Sequence, residues 1–127
     1  MKRDLVIVAC AISAGIHGAL TPEHFAEGAG AGGGFVVATI LLAGLTLVLT
    51  RRPGGKALAA AALVLGGLIA SYALVVTTGV PFLHPDVETV SGLALATKAT
   101  EAAGALLSLQ LLRASAAVPL RLKGTPA

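Results

Sequence analysis

The 127-residue chain has little of what a soluble domain or a nucleic-acid-binding protein needs. Only 12% of its residues are charged and 56% are hydrophobic, whereas about 25% of an average soluble domain is charged. It has no tryptophan and only 3% aromatic residues, too few for a surface that stacks nucleic-acid bases. Its one cysteine, Cys10, cannot form an internal disulfide, and no paired Cys/His zinc spacing is present. These absences exclude a soluble fold.

The sequence contains long runs of apolar residues. A helix needs about 20 mostly apolar residues to cross a bilayer, and four runs approach that length. They cover residues about 5–21, 34–50, 57–79 and 91–112. The runs predict an all-α fold, an integral membrane four-helix bundle that forms one domain over residues 1–127. The remaining segments are two outer loops, an inner loop and an inner tail, at residues 22–33, 80–90, 51–56 and 113–127.

Basic residues are concentrated on one side of this topology. Eight of the nine Lys and Arg residues precede the first span or follow the second and fourth: Lys2, Arg3, Arg51, Arg52, Lys56, Arg113, Arg121 and Lys123. Short loops rich in Lys and Arg stay in the cytoplasm. The pattern therefore predicts a multi-pass protein of the plasma (inner) membrane with both termini cytoplasmic and lipid as its surroundings. The net charge of +3 is then explained by the orientation of the protein in the membrane. We therefore expect no nucleic-acid partner.

Small residues recur at four-residue spacing in three of the spans. The stripes are Ala11, Gly15 and Ala19, then Ala62, Gly66 and Ala70, and finally Thr100, Gly104 and Ser108. Helices in lipid associate through close backbone approach, so such stripes predict contact faces. They serve either the bundle itself, a homo-oligomer or a larger membrane complex.

Histidine and carboxylate residues collect at the outer side. A short interfacial helix starting at Pro22 would place Glu23, His24 and Glu27 on one side, because neighbours three and four residues apart share a helix face. Together with His84 and Asp86 of the second outer loop, they are candidate ligands for a metal ion such as Zn or Cu. The alternative is an amphipathic helix whose polar side faces water.

Two charged residues lie within the fourth predicted span. Lys98 and Glu101 are about six and nine residues inside it, roughly 9–14 Å below its outer end, where an unpaired charge costs about 2.5–3.5 kcal/mol. His17 and Tyr72 lie at a similar depth, so the four are candidates for a ligand or proton site; the alternative is a satisfied structural network. Cys10, Ser13 and His17 share one stripe of the first span, which predicts that His17 faces the bundle.

Several short motifs resemble those of small four-span bacterial membrane proteins. They are His17, Pro22-Glu23-His24 and Glu27, then a Gly-rich start to a span, then Gly79-Val80-Pro81. The resemblance implies a bundle fold and no particular activity. We expect a binding or transport-accessory protein for a metal ion, a proton or a small ligand. The alternatives are a structural or assembly subunit and, less well supported, an enzyme with His17 and Glu101 as acid and base.

Overall fold

Four helices make up nearly all of the described chain. The computed structural model describes residues 1–117; Arg121, Lys123 and the rest of the predicted inner tail beyond residue 117 lie outside this part. The helices are α1 (Lys2–Glu27), α2 (Ala29–Arg51), α3 (Gly55–Thr77) and α4 (Gly92–Ala116). No strand occurs among residues 1–117, where a single isolated bridge joins Val80 and His84. The predicted all-α membrane bundle is confirmed.

The first helix is longer than its predicted span. It continues through Pro22 to Glu27, and α2 begins two residues later, so residues 22–33 are helical apart from Gly28 and do not form a loop. The prediction of a separate helix starting at Pro22 is wrong, because α1 continues through this residue. The Thr21 hydroxyl donates to the His17 carbonyl at 2.8 Å and does not cap a new helix. Proline removes one backbone hydrogen bond, but packing of His24 on Phe35 holds the extension against α2.

The helices pack unevenly around α1. It lies against α2 on one side and α4 on the other, α4 also packs on α3, and α2 touches α3 only lightly. Gly104 marks a close approach of α4 to α3 and α1, because a Cβ built there would lie 2.8 Å from the Leu65 side chain and 2.9 Å from that of Ala9. The loose α2–α3 side leaves the bundle less closed there than elsewhere.

The predicted small-residue stripe packs inside the bundle on α4 but not on α1. Gly104 and Ser108 are buried, whereas Ala11, Gly15 and Ala19 are exposed. The buried face of α1 carries Cys10, Ser13 and His17 instead, as the other stripe predicted. An unsatisfied hydroxyl or imidazole costs more in lipid than a methyl group does, so the polar stripe decides which way α1 faces. On α3 the buried stripe is likewise Ala57, Ala61 and Leu65, one position away from the prediction.

The surface of the bundle is apolar over its length, with carboxylates at one end and basic residues at the other. Helices α1, α2 and α3 are each long and apolar enough to cross a membrane; α4 has 25 residues and is less apolar than α2 and α3. We call the end that contains residues 23–27 and 78–91 the histidine end. The opposite end, the arginine end, carries Lys2, Arg3, Arg51, Arg52, Lys56 and Arg113.

Candidate functional site

A buried carboxylate lies at the centre of the candidate site. Glu101 of α4 is 0% exposed, and both of its oxygens are engaged. Oε1 accepts a hydrogen bond from Ser13 Oγ of α1 at 2.7 Å, and Oε2 accepts one from Lys98 Nζ at 2.6 Å. A buried charge requires this pairing, because burying it alone costs several kcal/mol. The ion pair between residues three apart on α4, expected as a structural alternative, is therefore present and is extended to α1 by Ser13.

His17 lies beside this carboxylate with its ring orientation fixed. Its Nδ1 donates to the Ser13 carbonyl at 2.8 Å, since a carbonyl can only accept. Its Nε2 is 3.9 Å from Glu101 Oε1, which is too long for a direct hydrogen bond. The ring also contacts Phe35 of α2 at 5.1 Å between centroids. His17 therefore joins α1, α2 and α4 at one level of the bundle.

Tyr72 of α3 completes the layer without a hydrogen bond of its own. Lys98 Nζ lies 5.5 Å from the centre of its ring, which is within range of a cation–π contact. The hydroxyl is the one buried side-chain polar atom among residues 1–117 that has no hydrogen-bond partner. Most buried polar atoms are paired, so this hydroxyl has hydrogen-bonding capacity to spare. The structure thus brings His17, Tyr72, Lys98 and Glu101 together as one layer.

A cleft of about 560 Å³ extends from this layer to the histidine end. His17, Tyr72 and Lys98 line its deep part, and Glu23, Glu27 and Glu88 line it nearer the end of the helices. Apolar side chains of α2 and α3, including Phe35 and Leu68, form one wall. The volume lies within the range of small-molecule sites, which combine apolar walls with a few polar groups.

The segment between α3 and α4 covers part of this cleft. Residues 80–84 form a tight turn in which Leu83 N donates to the Val80 carbonyl at 3.2 Å. Pro81 and the positive φ of Phe82, 66°, are typical of a type II turn. Gly79 has a φ of 67°, and a side chain there would collide with the Pro85 carbonyl, so this position favours glycine. The turn directs His84 toward α1.

His84 connects this segment to the end of α1. Its Nδ1 donates to the Asp86 carbonyl at 2.9 Å, and its Nε2 lies 3.2 Å from Glu27 Oε2. The hydrogen bond to Asp86 raises the pKa of His84 most, and the Glu27 carboxylate raises it further. Both ring nitrogens act as donors only in the imidazolium form, so the arrangement is that of a charged bridge.

The five candidate metal ligands are only partly brought together. Glu27 Oε2 lies 4.0 Å from His24 Nε2 as well as close to His84, but Asp86 contributes its carbonyl oxygen to His84. His24 donates to the Leu20 carbonyl and stacks on Phe35 with 3.6 Å between centroids. Residues 1–117 contain no group of three or more His, Cys, Asp or Glu side chains that could hold a metal ion. The candidate ligands predicted from the sequence therefore do not form such a group in the described part of the chain.

Two members of the site were missed from the sequence. Ser13 is the direct partner of Glu101, 88 residues away along the chain, and nothing in the sequence indicates that pairing beyond its place on the His17 stripe. Phe35 contacts both His17 and His24, and its place at the start of an apolar run does not indicate these contacts.

We predict that the Lys98–Glu101 pair is strongly coupled. Lys98→Met leaves the Glu101 carboxylate buried without a cation and should cost about 3–5 kcal/mol of unfolding free energy. The double variant Lys98→Met/Glu101→Gln should recover most of that loss, because no buried charge remains. Reversible unfolding in mixed detergent micelles measures all three. Lys56→Met at the exposed arginine end is the control, with an expected change within about 0.5 kcal/mol. Additive losses in the double variant would contradict the coupling.

We also predict that the His84 bridge weakens as the pH rises. A folded-state pKa above the unfolded value means that the bridge contributes fully below the unfolded pKa, about 6.5. The contribution disappears as the pH passes through the raised pKa. The stability difference between wild type and His84→Gln should therefore be larger at about pH 5.5 than at about pH 8.5. Glu27→Gln should reduce that difference at low pH. A difference that is equal at both pH values, or larger at high pH, would show that His84 does not act as a charged bridge.

Comparisons with known proteins add nothing to this geometry. No protein-family model, no curated protein and no solved structure matches the chain. What the site can do therefore follows from its own residues: a cleft at one end of a membrane bundle, with a buried and paired carboxylate at its inner end.

Proposed function

We propose that the protein is a multi-pass membrane protein that binds a small organic ligand in the cleft at the histidine end. The observation that carries the proposal is the arrangement of Lys98 and Glu101. Ionisable residues within membrane helices are costly and usually mark functional sites, and here Lys98, held by the enclosed Glu101, borders a cleft of about 560 Å³ rather than packed side chains. The unpartnered Tyr72 hydroxyl provides a donor for such a ligand.

The distribution of side chains supports α4 as a fourth span. Its two intramembrane charges are turned away from lipid, since Glu101 is 0% and Lys98 16% exposed. Its exposed large side chains are instead leucines: Leu93, Leu95, Leu106 and Leu109. The helix has 25 residues, which at about 1.5 Å per residue is sufficient to cross the hydrocarbon core. With all four helices spanning, both ends of the described chain lie on one side.

The basic residues of the arginine end support a cytoplasmic location for that end. Lys and Arg are retained on the cytoplasmic side of the plasma membrane, and the histidine end has neither among residues 22–33 and 78–91. We therefore propose that the protein lies in the plasma membrane with its N-terminus in the cytoplasm. The cleft then opens to the outside, where the ligand is encountered.

Single cysteines test this orientation. In a Cys10→Ala background, Val87→Cys places a thiol at the histidine end and Gly54→Cys places one at the arginine end, both at exposed positions. A maleimide that cannot cross membranes should label the first in intact cells and the second only after permeabilisation. The reverse pattern would overturn the proposed orientation, and labelling of both from outside would overturn the assignment of α3, which lies between them, as a span.

Two glycine substitutions on α2 test ligand binding. Gly34 lines the cleft, Gly44 lies ten residues further along the same helix, and each has open space where a side chain would go. Gly34→Leu should obstruct the cleft, while Gly44→Leu makes the same change of residue away from it. Native mass spectrometry of protein incubated with total membrane extract should show small-molecule adducts on wild type and Gly44→Leu and none on Gly34→Leu. Identical adducts on all three, or none on any, would contradict ligand binding in the cleft.

Other roles for the buried layer are less well supported. A docking role for Lys98 and Glu101 in a larger complex requires them to reach a partner, but Glu101 is fully enclosed by its own chain. An acid–base role for His17 and Glu101 requires a substrate between or beside them, and Glu101 does not border the cleft. The donor arrangement at the histidine end also does not favour a metal ion. Binding of a small organic molecule requires only the cleft that the structure already has.

A further inference from the structure

A second cavity opens on the side of the bundle between α2 and α3. It has a volume of about 250 Å³ and only apolar lining residues: Gly34, Val37, Ala38, Leu41, Leu63, Val64, Gly67 and Leu68. The groove exists because α2 and α3 are the most loosely packed pair of adjacent helices and because Gly34 and Gly67 leave open space. Since α2 and α3 are two of the membrane-spanning candidates, the groove faces the hydrocarbon of the bilayer.

The groove adjoins the polar cleft. Gly34, Ala38 and Leu68 line both cavities, so the two meet at these residues of α2 and α3. A molecule held in the cleft therefore lies next to an apolar groove that faces lipid. A polar chamber joined to a lateral apolar groove matches a ligand that is polar at one end and apolar at the other.

The charges around the cleft indicate an uncharged head group. Glu27 is paired with His84, but the carboxylates of Glu23 and Glu88 also line the cleft and disfavour an anion by like-charge repulsion. Lys98 lies in its deep part and disfavours a cation there, while its own charge is balanced by the Glu101 contact at 2.6 Å. The deep part therefore needs no counter-ion.

Two groups in the deep part have hydrogen-bond donors to spare. The Tyr72 hydroxyl has no partner, and Lys98 donates one described hydrogen bond out of the three that an ammonium group can make. A neutral acceptor such as a carbonyl oxygen satisfies these groups without adding charge. Buried donors discriminate strongly against ligands that lack the matching acceptor.

We propose that the cleft and the groove together bind a neutral membrane amphiphile with a carbonyl-bearing head group, such as an alkyl quinone. The head accepts a hydrogen bond from Tyr72 or Lys98, and the tail lies between α2 and α3. This inference rests on the proposed ligand-binding function and specifies the class of ligand and its route from the bilayer. No chemical change of the ligand is implied.

The chain contains a built-in reporter for this site. Tyr72 is its only tyrosine and it has no tryptophan, so tyrosine fluorescence reports on the proposed head-group position alone. In phosphatidylcholine vesicles, a decyl-substituted benzoquinone should quench this fluorescence saturably. Decanoate and decyltrimethylammonium have similar tails with an anionic and a cationic head, and both should compete poorly. Tighter binding of either charged probe would overturn the head-group assignment.

Adjacent glycines on α3 test the position of the tail. Gly67 lines the groove and Gly66 lines neither cavity, and both have open space for a side chain. Gly67→Leu should weaken quinone binding at least about tenfold, whereas Gly66→Leu should leave it unchanged. Equal effects of the two would overturn the placement of the tail. Tyr72→Phe removes the fluorophore, so its loss of affinity for the quinone is measured by native mass spectrometry, which counts the bound quinone.

The outcomes separate this inference from the proposed function. If Gly34→Leu removes native small-molecule adducts but the quinone does not bind wild type, the ligand class is wrong and the cleft still binds a ligand. If the quinone binds and Gly67→Leu has no effect, only the lateral route is wrong. If neither quinone nor native adducts depend on Gly34, both proposals are overturned.

Discussion

The enclosure of the Glu101 carboxylate is the constraint on which the rest of the bundle depends. A carboxylate in the middle of an apolar helix must be paired and hydrogen-bonded, and this requirement fixes the rotation of two helices. Helix α4 turns Glu101 and Lys98 inward, which leaves its leucines on the surface. Helix α1 turns Ser13 toward the same carboxylate, which also buries His17 and exposes the small residues on the opposite side.

The cleft is a consequence of this arrangement. Because α1 packs against both α2 and α4 while α2 and α3 meet only lightly, the space between α2, α3 and α4 is not filled by side chains. The polar layer forms its inner boundary, and the segment from residue 78 to 91 forms part of its rim through His84 and Glu27. A buried ion pair and an open space beside it each cost stability, and the proposed binding of a ligand would account for both.

Local sequence patterns predicted the helices and one buried face, but not the contacts between residues far apart in the chain. Apolar runs predicted the helices, and the spacing of Cys10, Ser13 and His17 predicted the inner face of α1. Pro22 led to the wrong prediction of a new helix, because proline is common at the first position of a helix. Here α1 continues through Pro22, and the contact of His24 with Phe35 compensates for the one lost hydrogen bond. The pairing of His84 with Glu27, 57 residues apart, and the groove between α2 and α3 depend on helix packing, which residue spacing does not encode.

The distance between the Lys98 amine and the Glu101 carboxylate in lipid is the most direct test of the account. Solid-state NMR of protein in bilayers, with Nζ of lysine and Cδ of glutamate isotopically labelled, measures the dipolar coupling between these two atoms. We expect a coupling consistent with the 2.6 Å contact of Nζ and Oε2 and no effect on the Glu101 signal from a paramagnetic agent dissolved in the lipid. An uncoupled pair, or a Glu101 signal relaxed by that agent, would contradict it.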